Sequence, residues 1–193
     1  MSDTIRIVEE KLLSDNWYTL KTTAFDIQRS DGSWQRQHRE TYDRGNGATI
    51  LLYNRAKKTI ILTRQFRFPT YVNGNESGMM VEACAGLLDQ DDPETCIKRE
   101  TEDATGYVVS EVRKVVEASM SPGSVTERLY FFVGEYSARD KVSEGGGHPH
   151  EGEDIEVLEL PLDAALAMIG KGEIADAKTI MLLQYARLQG LVG

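Results

Sequence analysis

The first half of the chain alternates apolar and polar residues at the two-residue spacing of β-strands. The alternation predicts strands within residues 5–85, among them 18–28, 34–42, 48–53, 59–63 and 79–83. The run Ser30-Asp31-Gly32-Ser33 is a hairpin signal between the first two of these segments. Glycine-rich stretches at 45–47 and 72–78 predict a break and a loop.

A helical pattern begins after residue 92. Asp92 is a good N-cap, Pro93 suits the first helical position, and Gly106 stands where a C-terminal cap belongs, so a helix is predicted over Pro93–Thr105. The later pattern predicts strands at 111–117, 129–136 and 155–160 and helices at 162–169 and 177–188. This order predicts an α+β protein, an α/β/α sandwich with a β-rich N-terminal portion.

Residues 141–153 lie between the predicted strands at 129–136 and 155–160 and contain three consecutive glycines, two histidines and several acids. Loops of this length and composition are commonly disordered or functional. We expect the segment to be mobile until something orders it.

The composition favours one compact unit, or one domain with a small subdomain, in a reducing compartment such as the cytoplasm. Cys84 and Cys96 lie in apolar surroundings without CxxC spacing and are expected to be reduced thiols. No cationic leader and no run of about 18 apolar residues is present, which disfavours secretion and membrane spanning.

The net charge of −9 disfavours nucleic acid and anionic membranes as partners. An acidic protein can still bind a phosphorylated small molecule where arginines or divalent cations reverse the local charge. The residues to look for are therefore clustered carboxylates with a few arginines.

The predicted helix Pro93–Thr105 brings such carboxylates together. Residues three and four apart share one helix face, so Glu100, Asp103 and position 104 point the same way. Carboxylates on one face either solvate the helix or hold Mg²⁺, which prefers oxygen ligands. Position 104 is an alanine, and Glu102 cannot replace it because it lies about 200° around the helix from Glu100.

This segment resembles the Nudix box, a glycine followed at long spacing by Arg-Glu, further carboxylates and a final glycine. Arg99, Glu100 and Gly106 match that motif, and Gly86 matches its leading glycine with an interval one residue shorter. The resemblance extends over nearly the whole chain, including residues 42–53, 64–67, 73–78, 84–89, 120–123, 126–127 and 153–161. Together these stretches resemble the GDP-mannose pyrophosphatase branch of the Nudix hydrolases, close to the ADP-ribose and ADP-sugar pyrophosphatases.

The resemblance implies a site for Mg²⁺, with Mn²⁺ as a substitute. The backbone carbonyl of Ala85 and the carboxylates of Glu100 and Glu153 are the implied ligands, and Asp103 is a further candidate. Ala104 occupies a position that carries a principal ligand in the family, so metal binding is expected to be weakened. Glu151 rivals Glu153 as the acid supplied by the loop.

The resemblance also implies residues that contact substrate. They are Trp17 as a platform for the nucleobase, Arg39 and Glu40 from a partner subunit, Arg67 and Lys178 at phosphate, and Ala85, Gly86, Leu87 and Glu127 near the reacting group. Glu100, Glu127 and Glu153 are the candidates for the group that activates water.

Several of these roles have an ordinary structural alternative. Trp17 could pack in the core, Arg39 and Glu40 could be an exposed charged pair, Arg67 could cap the sheet edge, and Lys178 could be a surface lysine. Two histidines in a glycine-rich loop, His148 and His150, are more often exposed than bound to metal.

The implied reaction is GDP-mannose plus water giving GMP and mannose 1-phosphate. The alternatives are an ADP-ribose or ADP-sugar pyrophosphatase, and a nucleotide-binding protein that has lost its chemistry through Ala104. We expect an N-terminal β subdomain over residues 1–43 for dimerisation and nucleotide contacts, exchanged within a homodimer, and a hydrolase domain over 44–193.

Overall fold

The computed structural model describes residues 3–192, apart from the side chain of Glu151. The strands in this range are β1 (Ile5–Asp15), β2 (Thr19–Gln28), β3 (Trp34–Asp43), β4 (Gly47–Asn54), β5 (Thr59–Phe66), β6 (Met79–Glu82), β7 (Cys84–Leu87), β8 (Arg113–Ser119), β9 (Arg128–Glu135) and β10 (Glu156–Pro161). The helices are α1 (Phe68–Val72), α2 (Pro93–Thr105), α3 (Leu162–Gly170) and α4 (Ala177–Leu188), with 3₁₀ turns at Ala138–Asp140 and Pro149–Glu151.

The chain forms two compact units. Of the described residues, the first unit contains 3–46 together with Ser119–Arg128, and the second contains Gly47–Ala118 together with 129–192. The predicted division between residues 43 and 44 does not include the return of the chain to the first unit at 119–128, and as a domain boundary it stays a prediction.

The first unit is a three-stranded antiparallel sheet in the order β1-β2-β3. The predicted hairpin is confirmed: Gln28 pairs with Trp34, and the Asp31 carboxylate accepts a hydrogen bond from the Ser33 amide at 2.9 Å. The segment that returns at 119–128 joins this unit through a parallel bridge between Tyr42 and Val125.

The second unit contains a mixed seven-stranded sheet. Its main path is β10-β5-β4-β9-β8, with β6 paired to β5 and β7 paired to β4. Strand β4 is parallel to β9 and antiparallel to β5 and β7. All eight residues of β4 are buried, as expected for a central strand covered on both faces.

Helices cover both faces of this sheet. Ala48, Ile50 and Leu52 of β4 pack in one cluster with Cys96 and Ile97 of α2. Helix α4 also contacts β4. Because successive strand side chains point to opposite faces, the intervening β4 residues face away from α2. The predicted α+β sandwich of the Nudix type is confirmed.

Helix α2 has the predicted bounds and caps. The Asp92 carboxylate accepts hydrogen bonds from the Glu94 and Thr95 amides, and Gly106 adopts a left-handed conformation with φ 75°. A Cβ at Gly106 would lie 2.1 Å from the Ser143 oxygen, so close packing also requires glycine there. These local signals fix where the carboxylate helix begins and ends.

Two elements were not predicted. The five-residue helix α1 precedes the predicted loop and ends at its first residue. The predicted strand at 79–83 continues after a break at Ala83 as β7, which pairs with β4 instead of β5. Both elements are short, and their position is determined by pairing and packing partners distant in sequence.

The glycine-rich loop at 141–153 is hydrogen-bonded to the end of α2, and its predicted mobility stays a prediction. The amides of Gly146 and Gly147 donate to the carbonyls of Ala104 and Asp103, each at 3.1 Å. Those carbonyls belong to the last turn of the helix and have no partner within it. All three glycines have positive φ, and a Cβ at Gly145 would lie 2.6 Å from the carbonyl carbon of Thr105.

Both cysteines are free and buried, which agrees with the predicted reduced thiols. Within residues 3–192, no helix is long and apolar enough to cross a membrane.

Candidate active site

Helix α2, strand β7 and the loop before β10 line a cavity of about 300 Å³ in the second unit. Four carboxylates reach it, those of Asp89, Glu100, Asp103 and Glu153. Arg99 and His148 also line it and are the basic groups at its wall. The concentration of acids on one small cavity creates a negative potential that attracts a cation.

Glu100 occupies the centre of this arrangement. Its carboxylate lies against Gly86, where a Cβ would come within 2.2 Å of the Glu100 Cδ. Burial raises the pKa of the Glu100 carboxyl above its ordinary value, and the charges of Asp103 and Glu153 add to the rise, against a hydrogen bond from Arg99. A bound cation would relieve both causes of the raised pKa.

The glycine-rich loop brings Glu153 to the same cavity. The Glu153 Oε2 atom accepts a hydrogen bond from the His148 amide at 2.9 Å, and the His148 Nε2 atom lies 3.3 Å from the Asp103 Oδ2 atom. The imidazole of His148 is 55% exposed, and His150 is also exposed. The hydrogen bonds between the loop and the end of α2 therefore hold the Glu153 carboxylate next to that helix. The side chain of its rival Glu151 is outside the described part of the chain.

The donor set fits a divalent cation only in part. Glu100, Asp103 and Glu153 offer the hard oxygen atoms that such a cation prefers, and Ala85 lines the cavity beside them. Ala104 also lines the cavity, one helical turn after Glu100, but its methyl group cannot be a ligand. Among the residues that the structure describes, no three His, Cys, Asp or Glu side chains are arranged closely enough to hold a metal ion.

Arg67 and Lys178 meet at a carboxylate that sequence reasoning missed. The buried side chain of Glu82 accepts hydrogen bonds from the Arg67 Nε and Nη2 atoms, the shortest at 2.9 Å, and from the Lys178 Nζ atom at 3.2 Å. The Lys178 side chain is only 13% exposed, so the alternative of a plain surface lysine is wrong. Arg67 follows the end of β5 and precedes α1.

Gly86 and Leu87, the other two β7 residues predicted to contact substrate, are held in place by backbone pairing with β4. Gly86 pairs with Ala48 and Leu87 with Gly47 on β4, and the Leu87 carbonyl accepts a contact from the Cys96 thiol at 3.2 Å. The pairing with β4 holds the backbone of residues 84–87 beside Glu100.

Four predicted site residues belong to the first unit. Trp17 is 81% exposed, which excludes core packing within this chain, and its ring meets Tyr18 edge-on. Arg39 and Glu40 are exposed, and the Arg39 guanidinium donates to the His38 carbonyl at 2.8 Å. Glu127 lies 3.7 Å from the Arg44 guanidinium. Their roles at a substrate stay predictions.

Glu82 and Asp89 were not predicted as members of the site, and His148 was expected to be an exposed histidine of the loop. The signal for Glu82 was present: a carboxylate at the end of the apolar run Met79-Met80-Val81 and before Ala83 must be paired if the run is buried. For Asp89 and His148 the local sequence gives no comparable signal, because loop geometry brings them to the cavity wall.

The fold and the carboxylate helix define the class of the protein, and comparisons with known proteins agree. Residues 43–183 match the model of the NUDIX domain, and residues 4–42 match that of the GDP-mannose pyrophosphatase NudK N-terminal domain. The chain therefore belongs to the Nudix family, and the prediction of a Nudix hydrolase is confirmed.

Curated relatives resemble the chain over its full length. A GDP-mannose pyrophosphatase of Pectobacterium atrosepticum is 61% identical over 98% of this chain and 97% of its own length. A GDP-mannose pyrophosphatase of Salmonella arizonae is 55% identical over 100% of both chains. Among solved structures, an ADP compounds hydrolase superposes with a TM-score of 0.73 at 17% identity, covering 98% of each chain, which shows the shared fold.

Proposed function

We propose that this chain hydrolyses the pyrophosphate bond of a nucleotide sugar, with GDP-mannose as the substrate and GMP and mannose 1-phosphate as products. The names of relatives at 55–61% identity support the substrate, as does the match of residues 4–42 to the N-terminal domain model of that enzyme. Nudix enzymes generally use divalent metal ions, and we infer Mg²⁺, with Mn²⁺ as a substitute.

The observation that carries the proposal is that an acidic cavity and two basic side chains, Arg67 and Lys178, belong to the same unit. Glu100, Asp103 and Glu153 line the cavity, and Arg67 and Lys178 meet at Glu82 two residues before Cys84, which lines it too. Burial tends to lower the pKa of Arg67, but the hydrogen bond and charge of Glu82 raise it, with smaller contributions from the charges of Asp176 and Glu153. A diphosphate needs cations on its oxygens and an activated water, and this arrangement can supply both.

The metal ligands in this proposal are the carbonyl of Ala85 and the carboxylates of Glu100 and Glu153, with Asp103 as a further ligand. When bound, a divalent cation neutralises charge on the diphosphate and lowers the pKa of an attacking water. Ala104 supplies no ligand, so we expect this chain to bind the metal more weakly than a chain with a carboxylate at that position.

In this proposal the side chains bind the phosphates and accept the proton of the attacking water. Arg67 and Lys178 bind phosphate oxygens and stabilise the charge that develops on the leaving phosphate. Glu100, Glu127 or Glu153 accepts the proton of the attacking water. Gly86 and Leu87, which follow Ala85 on β7, are further substrate contacts in this proposal, and no covalent intermediate is required.

We further propose that the exposed Trp17 stacks on the nucleobase and that Arg39 and Glu40 bind the nucleotide of a partner subunit in a homodimer. Their exposure is consistent with such contacts. The domain division at residues 43 and 44 and the cytoplasmic location belong to the same proposal.

Product analysis tests the proposed reaction. The protein is incubated with GDP-mannose and Mg²⁺, and the products are separated by anion-exchange chromatography. We expect GMP and mannose 1-phosphate in equal amounts, and inorganic phosphate only after a phosphatase is added. Release of GDP and free mannose would contradict pyrophosphate cleavage, and binding without turnover would favour the nucleotide-binding protein that has lost its chemistry.

A further inference from the structure

Glu82 is a buried carboxylate between two cations. Its side chain is 4% exposed, whereas that of Arg67 is 40% and that of Lys178 is 13% exposed. A buried carboxylate is costly unless it is paired and hydrogen-bonded, and both cations pair with Glu82 here. Burial tends to raise the pKa of Glu82, but the hydrogen bond from Arg67 and the charge of Lys178 outweigh it, so the pKa lies below its ordinary value.

The contact between Glu82 and Arg67 uses one edge of the guanidinium. The Nε atom lies 3.1 and 3.2 Å from the two carboxylate oxygens, and the Nη2 atom lies 2.9 Å from Oε2. A guanidinium carries five N–H donors in a rigid plane. Fixing one edge on Glu82 therefore sets the direction in which the Nη1 edge points and leaves it able to bind an anion.

Lys178 is held on the same carboxylate from another element. It lies at the start of α4, 3.2 Å from Glu82 and 3.0 Å from the Oδ1 atom of Asp176. Asp176 is also the N-cap of α4, and the Thr179 hydroxyl in that first turn accepts a hydrogen bond from the Ala83 amide at 2.7 Å. The helix start is thus fastened to the strand end that carries Glu82.

Backbone pairing connects this cluster to the acidic cavity. Glu82 of β6 pairs with Thr63 of β5, and the Thr63 hydroxyl donates to the Glu82 carbonyl at 3.2 Å. Thr63 lines the cavity, as do Cys84 and Ala85 just after Glu82. The side chain of Glu82 therefore faces Arg67 and Lys178, and its backbone pairs with a residue that lines the cavity.

We propose that Glu82 is a positioning residue that holds Arg67 and Lys178 side by side as one phosphate-binding pair. Two flexible basic side chains would otherwise repel each other and lose conformational freedom on binding a diphosphate. Holding them in advance removes that cost from the binding step. This inference rests on the proposed function, since it assigns both cations to the phosphates of the substrate.

Binding and kinetics of the full chain test the role of Glu82. Glu82→Gln keeps the shape of the side chain and removes its charge. We measure the Kd for GDP-mannose in the presence of a chelator, which stops turnover, and kcat and KM with Mg²⁺. Misplacement of the cations predicts a rise of roughly 10- to 100-fold in both Kd and KM, with a smaller change in kcat.

Glu159→Gln is the matched control. Glu159 is a carboxylate on β10 of the same sheet, paired with Lys57 at 2.9 Å and hydrogen-bonded to the Tyr136 hydroxyl, and it does not line the cavity. This variant should lower the Tm while leaving the Kd and KM unchanged. A purely structural role for Glu82 would give the same pattern, with a lower Tm and an unchanged Kd, and would overturn the inference.

A thermodynamic cycle with Arg67→Ala separates positioning from direct contact. If Glu82 acts through Arg67 as well as Lys178, the losses of the two single variants should be less than additive in the double variant, because part of the effect of Glu82→Gln is already lost with Arg67. Fully additive losses would mean that Glu82 acts independently of Arg67 and would overturn the inference. Should Glu82→Gln fail to fold, Arg67→Lys keeps the charge without the planar fork. The inference then predicts at least roughly 10-fold weaker binding, and an unchanged Kd would overturn it.

Measurements on the wild-type chain distinguish failure of the proposed function from failure of the positioning role of Glu82. If it neither binds nor hydrolyses GDP-mannose, the proposed function fails before any variant is compared. If it binds, and Glu82→Gln binds equally well, the positioning role alone fails.

Discussion

The carboxylate of Glu100 lies directly against the Cα of Gly86, so that a Cβ at Gly86 would come 2.3 Å from the Glu100 Oε2 atom. The first glycine of the family motif is therefore required by the carboxylate near the end of the motif. Strand β7, paired with β4, holds the glycine, and α2 holds the glutamate.

Gly86→Ala should displace the Glu100 carboxylate without unfolding the protein, because the obstructed atoms are the far end of a flexible side chain. We expect kcat for GDP-mannose to fall by roughly 10- to 100-fold, with only a small change in Tm. The control is Gly170→Ala at the end of α3, where a Cβ would meet nothing within 4 Å. Equal kcat values in the two variants would show that Glu100 does not need this position.

Ala104→Glu should restore a ligand on the face of α2 that carries Glu100. Ala104 lines the cavity together with Glu100 and Asp103, so we expect a longer acidic side chain at this position to reach the other carboxylates. We expect the affinity for Mg²⁺, measured by isothermal titration calorimetry, and kcat/KM each to rise by roughly 10-fold or more. An active wild-type chain with no gain in either quantity would show that position 104 does not limit it.

Both thiols should be unreactive in the folded protein. Burial raises the pKa of Cys84 to about 12 and that of Cys96 to about 12, so each is protonated at neutral pH. The thiolate is the nucleophile, and neither thiol is open to solvent. An aromatic disulfide reagent should therefore release its chromophore from both cysteines in denaturant, and far more slowly without it. Fast labelling of the native chain would contradict the buried positions.

Glu82 should stabilise the fold in a pH-dependent way. Its pKa is lowered in the folded state, so its contribution is complete above the unfolded pKa and is lost as the pH falls through the lowered folded pKa. At neutral pH, Glu82→Gln should reduce the free energy of unfolding by roughly 1.5–3 kcal/mol. Urea unfolding at a series of pH values should show this difference shrinking toward acid pH, and a constant difference would contradict the ion pairing of Glu82.

Sequence signals predicted those elements whose bounds are set by residues close together in the chain. The caps Asp92 and Gly106 gave the bounds of α2 correctly, and the hairpin at residues 30–33 followed from its turn residues. The short elements α1 and β7 carry little local signal, since they depend on pairing and packing with distant residues. The course of the loop at 141–153 carried no local signal, because its glycines permit close passage along the end of α2, which is distant in the chain.

The candidate site was predictable where a motif or helical spacing links residues, as for Glu100 and Asp103. The contact of Glu82 with Arg67 and Lys178 was not, because it joins strand β6 to residues 15 and 96 positions away in sequence. The pairing of His148 with Asp103 depends on the same kind of tertiary approach.

The proposal that GDP-mannose is the substrate can be tested directly. Its most direct test is kcat/KM with Mg²⁺ for GDP-mannose and for ADP-ribose, measured on one preparation by coupled phosphate release. We predict a clearly higher kcat/KM for GDP-mannose. A higher kcat/KM for ADP-ribose would contradict it and assign the chain to ADP-ribose hydrolysis.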